Sequence, residues 1–580
     1  MSGATEATFQ SLSRHGFPSL HTRAPAQVTL GWTVLNAEPE LLTCRLSVAP
    51  LLPPAPEACV ELYFELPVVD LARSFSPMHG LRPLTQSRRQ SMSSTPFHAS
   101  PVLALVNEAG DNRCCFAIRE DQLSYTLRLR VEEQVPSVRC TCAVSLAQLL
   151  RGQSALTLRL DLRPVALSTA LQAVSRWWAI QAPQSPSLAA APVYSTWYAF
   201  LDRLQVHELR EEAAFAADLG CGSMILDDGW HKTLPAVRPS PFVASYAEVG
   251  DWEAQSIAVD ELVASNHQLG LSTLLWLALP LCGRRSRIYG TPRGECVEWL
   301  ERFDAGVLDP RSAAVRVHLF EVVERALSWG VSGLKLDFLE RWWLPEHPER
   351  AEIAAAGLSL LTELAALCRR ARSDFLLEFR QPYIAPTTLS LATMVRAEDC
   401  PADYISNRER CLALRALSGP VRVHSDMLRW HPSERSEAVA LHLWSSLFCV
   451  PQLSIRRAHL DAAQEQVLRA FFAFWQRCRA TLLDGRLEWR VAGYVQARDA
   501  ERSVLARYAP LLLRAEAAPV VELINACSQA HVPLLCPSGL GRRRLRIYDA
   551  RGVMLEESAQ VFGPGLHALE LPVGGRATLD

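Results

Sequence analysis

The sequence predicts a multidomain protein: an N-terminal β-sandwich, a central (β/α)8 TIM barrel and a small C-terminal β-sandwich. Three observations predict it. Residues 1–185 carry short alternating apolar and polar stretches, residues 186–482 alternate eight strand-like runs with helical ones, and residues 483–580 return to short strands.

In the first region "ACVELYFELPVVD", "NRCCFAIRE", "LSYTLRLRVEEQ" and "ALTLRLDLRPV" alternate with period two and are separated by Pro, Ser and Gly. The stretch "IQAPQSPSLAAAP" reads as a linker. In the second region strands are expected at 193–200, 222–228, 271–278, 331–338, 374–380, 393–399, 421–427 and 449–455. Amphipathic runs such as "VHELREEAAFAADLG" and "SAAVRVHLFEVVERALSWG" lie between them. The crossover from the fifth strand to the sixth is weak, because "QPYIAPTTLSLA" is short and holds two prolines. In the third region "GRLEWRVAGYVQARD", "VVELINAC" and "HALELPV" again have strand character.

Composition narrows the function. The chain has 580 residues, 49% of them hydrophobic and 21% charged, with a net charge of -2, so its charge invites neither nucleic acid nor an anionic membrane. The start "MSGATEATFQSLSRHGF" lacks a basic segment followed by an apolar core, and no apolar run reaches the roughly 18–20 residues of a bilayer span. A cytoplasmic location is the expectation. The 16 Cys include no C-x-x-C pair and read as free thiols of a reducing compartment. There is no H-E-x-x-H, no phosphate-binding G-x-x-x-x-G-K-[ST] loop, no G-x-S-x-G elbow and no G-x-G-x-x-G after a strand, so neither metal nor cofactor is expected.

The charged residues gather at the strand ends, where a (β/α)8 barrel builds its active site. "GLKLDF" (333–338) is the sharpest case. Its alternation sends Lys335 and Asp337 to one face, about 6–7 Å apart, and Leu334, Leu336 and Phe338 to the other, which is expected to meet the outer helices. An ion pair buried only for stability often fails to recover its desolvation cost, so a functional reading is preferred for these two charges. Lys232 and Lys335 are the only lysines among 59 basic residues. Trp197 and Tyr198 end the first strand, Asp227 and Asp228 the second, Glu378 and Arg380 the fifth, Arg396, Glu398 and Asp399 the sixth, and His424 and Asp426 the seventh, with Trp276 on the third. Acids with a few bases and aromatic rings suit a sugar, whose hydroxyls both donate and accept and whose ring stacks on Trp. Structural readings compete: Asp227-Asp228-Gly229 also suits a turn, Glu378 and Arg380 a mutual pair, Asp399 a helix cap, and His424 a satisfied core position.

Taken in order, "ILDDGWH", "VGDW", "LDP", "GLKLDF" and "VRAEDCPADYISNR" resemble the signature blocks of glycoside hydrolase family 36 and its clan relatives, the α-galactosidase or melibiase group. The resemblance covers the barrel, about half the chain, and implies a retaining exo-α-glycosidase without a cofactor, acting on terminal α-galactosides of oligosaccharides or other glycosides, with room for a homo-oligomer. It implies Asp337 as nucleophile and Asp399 as general acid/base, with Asp227 and Asp228 on the O4 and O6 hydroxyls. Trp230 and Trp252 would wall the pocket, Lys335 would donate to a ring hydroxyl and Arg396 would reach the 2-hydroxyl. Lys335 is expected to keep Asp337 ionised, and Asp337 and Glu398 to raise the pKa of Asp399. Two departures stand out: "LEFRQPYIAP" replaces a Cys- and Gly-rich block, leaving the substituent met by Glu378 and Arg380 open, and Asp426 in "HSDMLRW" is an extra contact or a rival acid. The alternatives are an α-N-acetylgalactosaminidase or α-glycosyl transferase on the same scaffold, a sugar-binding homologue without catalysis, and a lyase or isomerase using Lys335 as a Schiff base.

Overall fold

Period-two alternation in the first region folds into two antiparallel sheets of six and seven strands. The computed structural model describes residues 17–580, apart from 27, 54, 56, 85–88, 153, 233–245, 256 and 492, together with the backbone of strand Ala4–Phe9. Much of the N-terminal stretch read above for a leader lies outside these residues. Each sheet turns alternate side chains inward, so Leu42, Leu46 and Leu158 of one meet Leu62, Phe64 and Leu127 of the other in a shared core.

The barrel comprises eight parallel strands: β1 (Val193–Ser195), β2 (Ser223–Leu226), β3 (Ser272–Leu277), β4 (Gly333–Leu336), β5 (Leu376–Arg380), β6 (Met394–Arg396), β7 (Arg422–His424) and β8 (Gln452–Leu453). They pair in chain order, β8 returns to β1, and a His424–Val450 bridge joins β7 to the segment entering β8. Each expected interval holds one strand, but every strand is shorter than expected. On β1 the sheet ends at Ser195 and Trp197–Phe200 turns helical, so Trp197 and Tyr198 stand beyond the strand.

The helices follow as α1 (Val206–Asp218), α2 (Val259–Gln268), α3 (Ala313–Ser328), α4 (Arg350–Ala371), α5 (Pro386–Leu389), α6 (Tyr404–Leu417), α7 (Ser436–Trp444) and α8 (Ala462–Asp484). The weak fifth crossover is the one-turn α5. Gly220, Gly270, Gly330 and Gly419 follow α1, α2, α3 and α6 with φ of +83°, +75°, +78° and +59°, left-handed positions that turn the chain back into the next strand. Helix α4 is long and apolar enough by length and composition to cross a bilayer, but its Ile353, Leu360, Leu361 and Leu364 are buried within the protein. An element absent from the sequence reading sits between β3 and α3, where Leu281–Gly283, Cys296–Leu300 and Ala305–Leu308 form a small antiparallel sheet.

The N-terminal sandwich is pinned to the loop after β5. Gln381 Nε2 donates to Pro77 O (3.0 Å), Ser100 Oγ to Ile384 O (2.6 Å) and Thr387 Oγ1 to Asp121 Oδ1 (2.9 Å). These bonds hold the sandwich over the mouth of the barrel. After α8, a seven-stranded and a three-stranded sheet enclose a separate C-terminal core around Leu505, Val521, Leu534 and Phe562.

Parallel register sets the height of the inward side chains: Trp276 lies level with Lys335, Lys335 with Glu378, Arg380 with Arg396, and Arg396 with His424. Gly333 lets β4 approach β5, since a Cβ there would lie 2.6 Å from Leu376 O and 2.9 Å from Leu274 Cγ. Gly333→Ala is therefore expected to destabilise the fold by about 1–3 kcal/mol, read as a lower denaturant midpoint at unchanged slope.

Candidate active site

Four basic side chains organise the carboxylates at the C-terminal end of the barrel. Lys335 on β4 donates from Nζ to Asp227 Oδ2 across the barrel (2.6 Å), and Ser195 Oγ shares that oxygen (3.2 Å). Asp228 accepts from Lys232 Nζ (2.9 Å) and bonds His231 Nε2 (3.0 Å), while Lys232 also reaches Asp202 (3.3 Å). Burial opposes ionisation of Asp228, yet Lys232 and His231 prevail and bring its pKa down to about 2.

Asp337 leaves the tip of β4 with both oxygens bonded. Trp276 Nε1 donates to Oδ2 (3.0 Å), and Phe338 N and Arg380 Nε donate to Oδ1 (each 2.7 Å). Desolvation would raise its pKa; Arg380, then Lys335, Trp276 and Arg396 outweigh it and hold the carboxylate ionised far below its usual range. Arg380 itself is fixed by Gln381 O (2.7 Å) and Glu340 Oε1 (3.4 Å), and by the rings of Phe338 and Tyr383 at 5.8 and 5.5 Å.

A third group surrounds Arg396, whose Nη1 meets Asp426 Oδ1 at 2.6 Å and Asp399 Oδ1 at 2.8 Å. Asp426 is fully buried and takes further bonds from Cys400 N (2.7 Å) and Tyr198 Oη (3.2 Å), and burial lifts its pKa to about 6. Asp399 is the open member, with its side chain 52% exposed.

Above these groups lies a cavity of about 1110 Å³ between barrel and sandwich. Phe338, Glu340, Arg380 and Asp399 line its barrel wall, and Thr95, Tyr125, Thr126 and Gln148 belong to the sandwich wall.

No protein-family model and no curated protein sequence matches the chain. Solved structures do. An α-galactosidase of Geobacillus stearothermophilus in complex with raffinose superposes with a TM-score of 0.61 at 15% identity, covering 99% of this chain and 84% of that one. The α-galactosidase of Lactobacillus brevis gives 0.60 at 15% identity over 100% and 85%. That of Thermus thermophilus in complex with stachyose gives 0.52 at 17% identity over 80% and 99%. The fold is that of the glycoside hydrolase family 36 α-galactosidases.

Within this family 36 fold, several residues stand differently from the sequence reading. Lys335 is bonded to Asp227, and Asp337 instead takes its direct cation from Arg380. Glu378 and Arg380 do not pair: Glu378 accepts from Gln452 Nε2 (2.5 Å) and lies 3.8 Å from Arg396. Phe338 does not face the outer helices; at φ +60° it turns onto the cavity and packs edge to face against Tyr246. Trp230, Trp252 and Trp276 are buried, with Trp230 Nε1 donating to Trp276 O, and neither they nor Asp227, Asp228, Lys335 and Asp337 line the cavity. Arg396 is likewise buried among its carboxylates. The expected rise in the Asp399 pKa is reversed: desolvation and Asp337 push it up, but Arg396, Arg380 and Lys335 leave it below its ordinary value. The cap of α6 is Asp403, which accepts from Ser406 N, so Asp399 has no capping role. His424 is a satisfied core histidine, bonded to Ala189 O at 2.8 Å.

Sequence reading missed Glu340, His231 and Asp202. Proximity to "LDF" and "DDGW" was the available signal for the first two; Asp202 has none, because it is brought in from the loop after β1. Lys335→Ala would leave the buried Asp227 carboxylate with the neutral donors Ser195 Oγ and Asp228 N and without its cation, and is expected to destabilise the protein by about 3–5 kcal/mol in denaturant unfolding.

Proposed function

We propose that the protein is a retaining exo-α-glycosidase that hydrolyses terminal α-galactosides by double displacement. The observation that carries this reading is the contrast between two carboxylates at one barrel mouth. Asp337 is ionised and held by three donors behind Arg380 and Phe338, which line the cavity while Asp337 itself does not, and Asp399 stands half-exposed on the cavity wall. Such a pair suits a nucleophile that forms a glycosyl-enzyme and an acid/base that protonates the leaving oxygen and then activates water. The family 36 fold supports galactose as the sugar, and the raffinose and stachyose bound by two of its structural neighbours support oligosaccharide substrates.

Asp337 has a second face for this task. Among the described residues Oδ2 accepts from Trp276 alone, which leaves it a lone pair for the anomeric carbon, whereas Arg380 and Phe338 N orient Oδ1. Arg396 positions Asp399 and is itself held by the buried Asp426, so Asp426 acts through Arg396 rather than on the substrate.

Asp337→Gly is expected to abolish turnover of nitrophenyl α-galactoside, with azide restoring release of nitrophenol and yielding the β-galactosyl azide. With Asp399→Gly the azide product should be the α-anomer. Loss of neither activity, or the opposite anomers, would remove these assignments. The pH dependence follows from the free protein. Asp399 must carry a proton to act as acid, and Arg396, Arg380 and Lys335 outweigh its desolvation and hold its carboxyl below the ordinary range, so kcat/KM should be greatest on the acid side and fall as pH rises. A kcat/KM that rises with pH across the acid range would contradict Asp399 as the acid.

A further inference from the structure

The cavity between barrel and sandwich holds arginines that its own carboxylates do not match. Among those carboxylates Glu340 lies 3.4 Å from Arg380 and 3.9 Å from Arg341, Asp399 2.8 Å from Arg396, Glu398 4.0 Å from Arg410 and Glu61 3.5 Å from Arg128. Glu57 lacks a cation among the described residues, but it belongs to the sandwich side. On the barrel side Arg302 and Arg350 line the cavity, and among the described residues no carboxylate lies within ion-pair distance of either. Glu301 and Glu346, close to them in sequence, do not line it.

Stability alone does not account for these positions. Arg350 opens α4, at the end of a helix where the dipole favours an acid over a base, and it donates only to His347 O, at 3.5 Å. Arg302 sits in the short turn between Cys296–Leu300 and Ala305–Leu308, which carries it to the cavity. Arg341 completes the group. Its guanidinium lies over the ring of Phe303 at 5.0 Å, its Nε has no hydrogen-bond partner among the described residues, and Glu340 beside it is shared with Arg380. Guanidinium groups facing one cavity favour an anion there, and their paired N–H groups fit a carboxylate or a phosphate. Asp399 stands on the wall of the same cavity, so the leaving group that it protonates departs into it.

We propose that the preferred substrate is a glycoside whose leaving group is anionic, carrying a carboxylate or phosphate held by Arg302, Arg341 and Arg350. The proposal rests on the glycosidase reading of Asp337 and Asp399. Two aryl α-galactosides of nearly equal shape test it, one with a 4-carboxyphenyl and one with a 4-carbamoylphenyl aglycone. In the parent, kcat/KM should be about tenfold greater for the carboxylate at low ionic strength, and the ratio should shrink as salt is added. Arg302→Gln combined with Arg350→Gln should bring the ratio near one, whereas damage to the fold would lower both substrates together. A 4-phosphonooxyphenyl aglycone run beside them tells phosphate from carboxylate by which anion gives the larger ratio. Titration calorimetry of the same ligands on Asp399→Asn separates the proposal from the reading beneath it, since absence of turnover with every glycoside removes the glycosidase assignment alone. Equal kcat/KM for charged and neutral aglycones, equal affinities in a protein without turnover, or a ratio unchanged in the double variant would each overturn the proposal.

Discussion

Carboxylates buried at one end of a barrel need cations brought to them, and this constraint shapes the site. Taking an ion out of water costs several kcal/mol even after relaxation. Asp227, Asp228, Asp337 and Asp426 are each at least nine-tenths buried, and each is met by a different base: Lys335, Lys232, Arg380 and Arg396. The bases come largely from neighbouring or facing strands, so the ion pairs form only when the register of the whole barrel is correct. The two lysines of an otherwise arginine-using chain both serve such buried pairs, Lys335 with Asp227 and Lys232 with Asp228.

The consequence for chemistry is a division of labour. Asp337 is surrounded by donors and stays ionised, whereas Asp426 is desolvated and holds its proton to about pH 6. Asp399 differs because it faces water and shares Arg396 with Asp426. Arg380 gives the site its own character. A guanidinium packed against Phe338 and Tyr383 and bonded to Asp337 occupies the place beside the carboxylate, so whatever approaches Asp337 from that side meets a fixed cation.

The architecture was legible because it rests on periodicity. Eight strand intervals alternating with amphipathic helices specify a barrel, and the acids and bases at their ends mark which end is functional. The pairings were less legible. Lys335 and Asp337 are neighbours on one strand face, yet Lys335 reaches across to Asp227 because its four-carbon stem is longer than the spacing between strands. Phe338 escapes the strand alternation because the sheet ends at Leu336 and the next residues leave it with a left-handed turn. The sandwich wall of the cavity has no sequence signal either, since Ser and Thr on a strand face and Gln148 on a short helix are ordinary surface choices until a second domain is laid over them.

All of this turns on Asp337 being the group that meets the anomeric carbon. The most direct measurement is to react the protein with an activated fluoro-α-galactosyl fluoride whose glycosyl-enzyme hydrolyses slowly, and to locate the adduct by peptide mass spectrometry. Asp337 as nucleophile requires one galactosyl equivalent on the peptide that contains "GLKLDF", attached at Asp337. An adduct on Asp399 or Asp426, or turnover of an α-galactoside with inversion and no adduct, would contradict it.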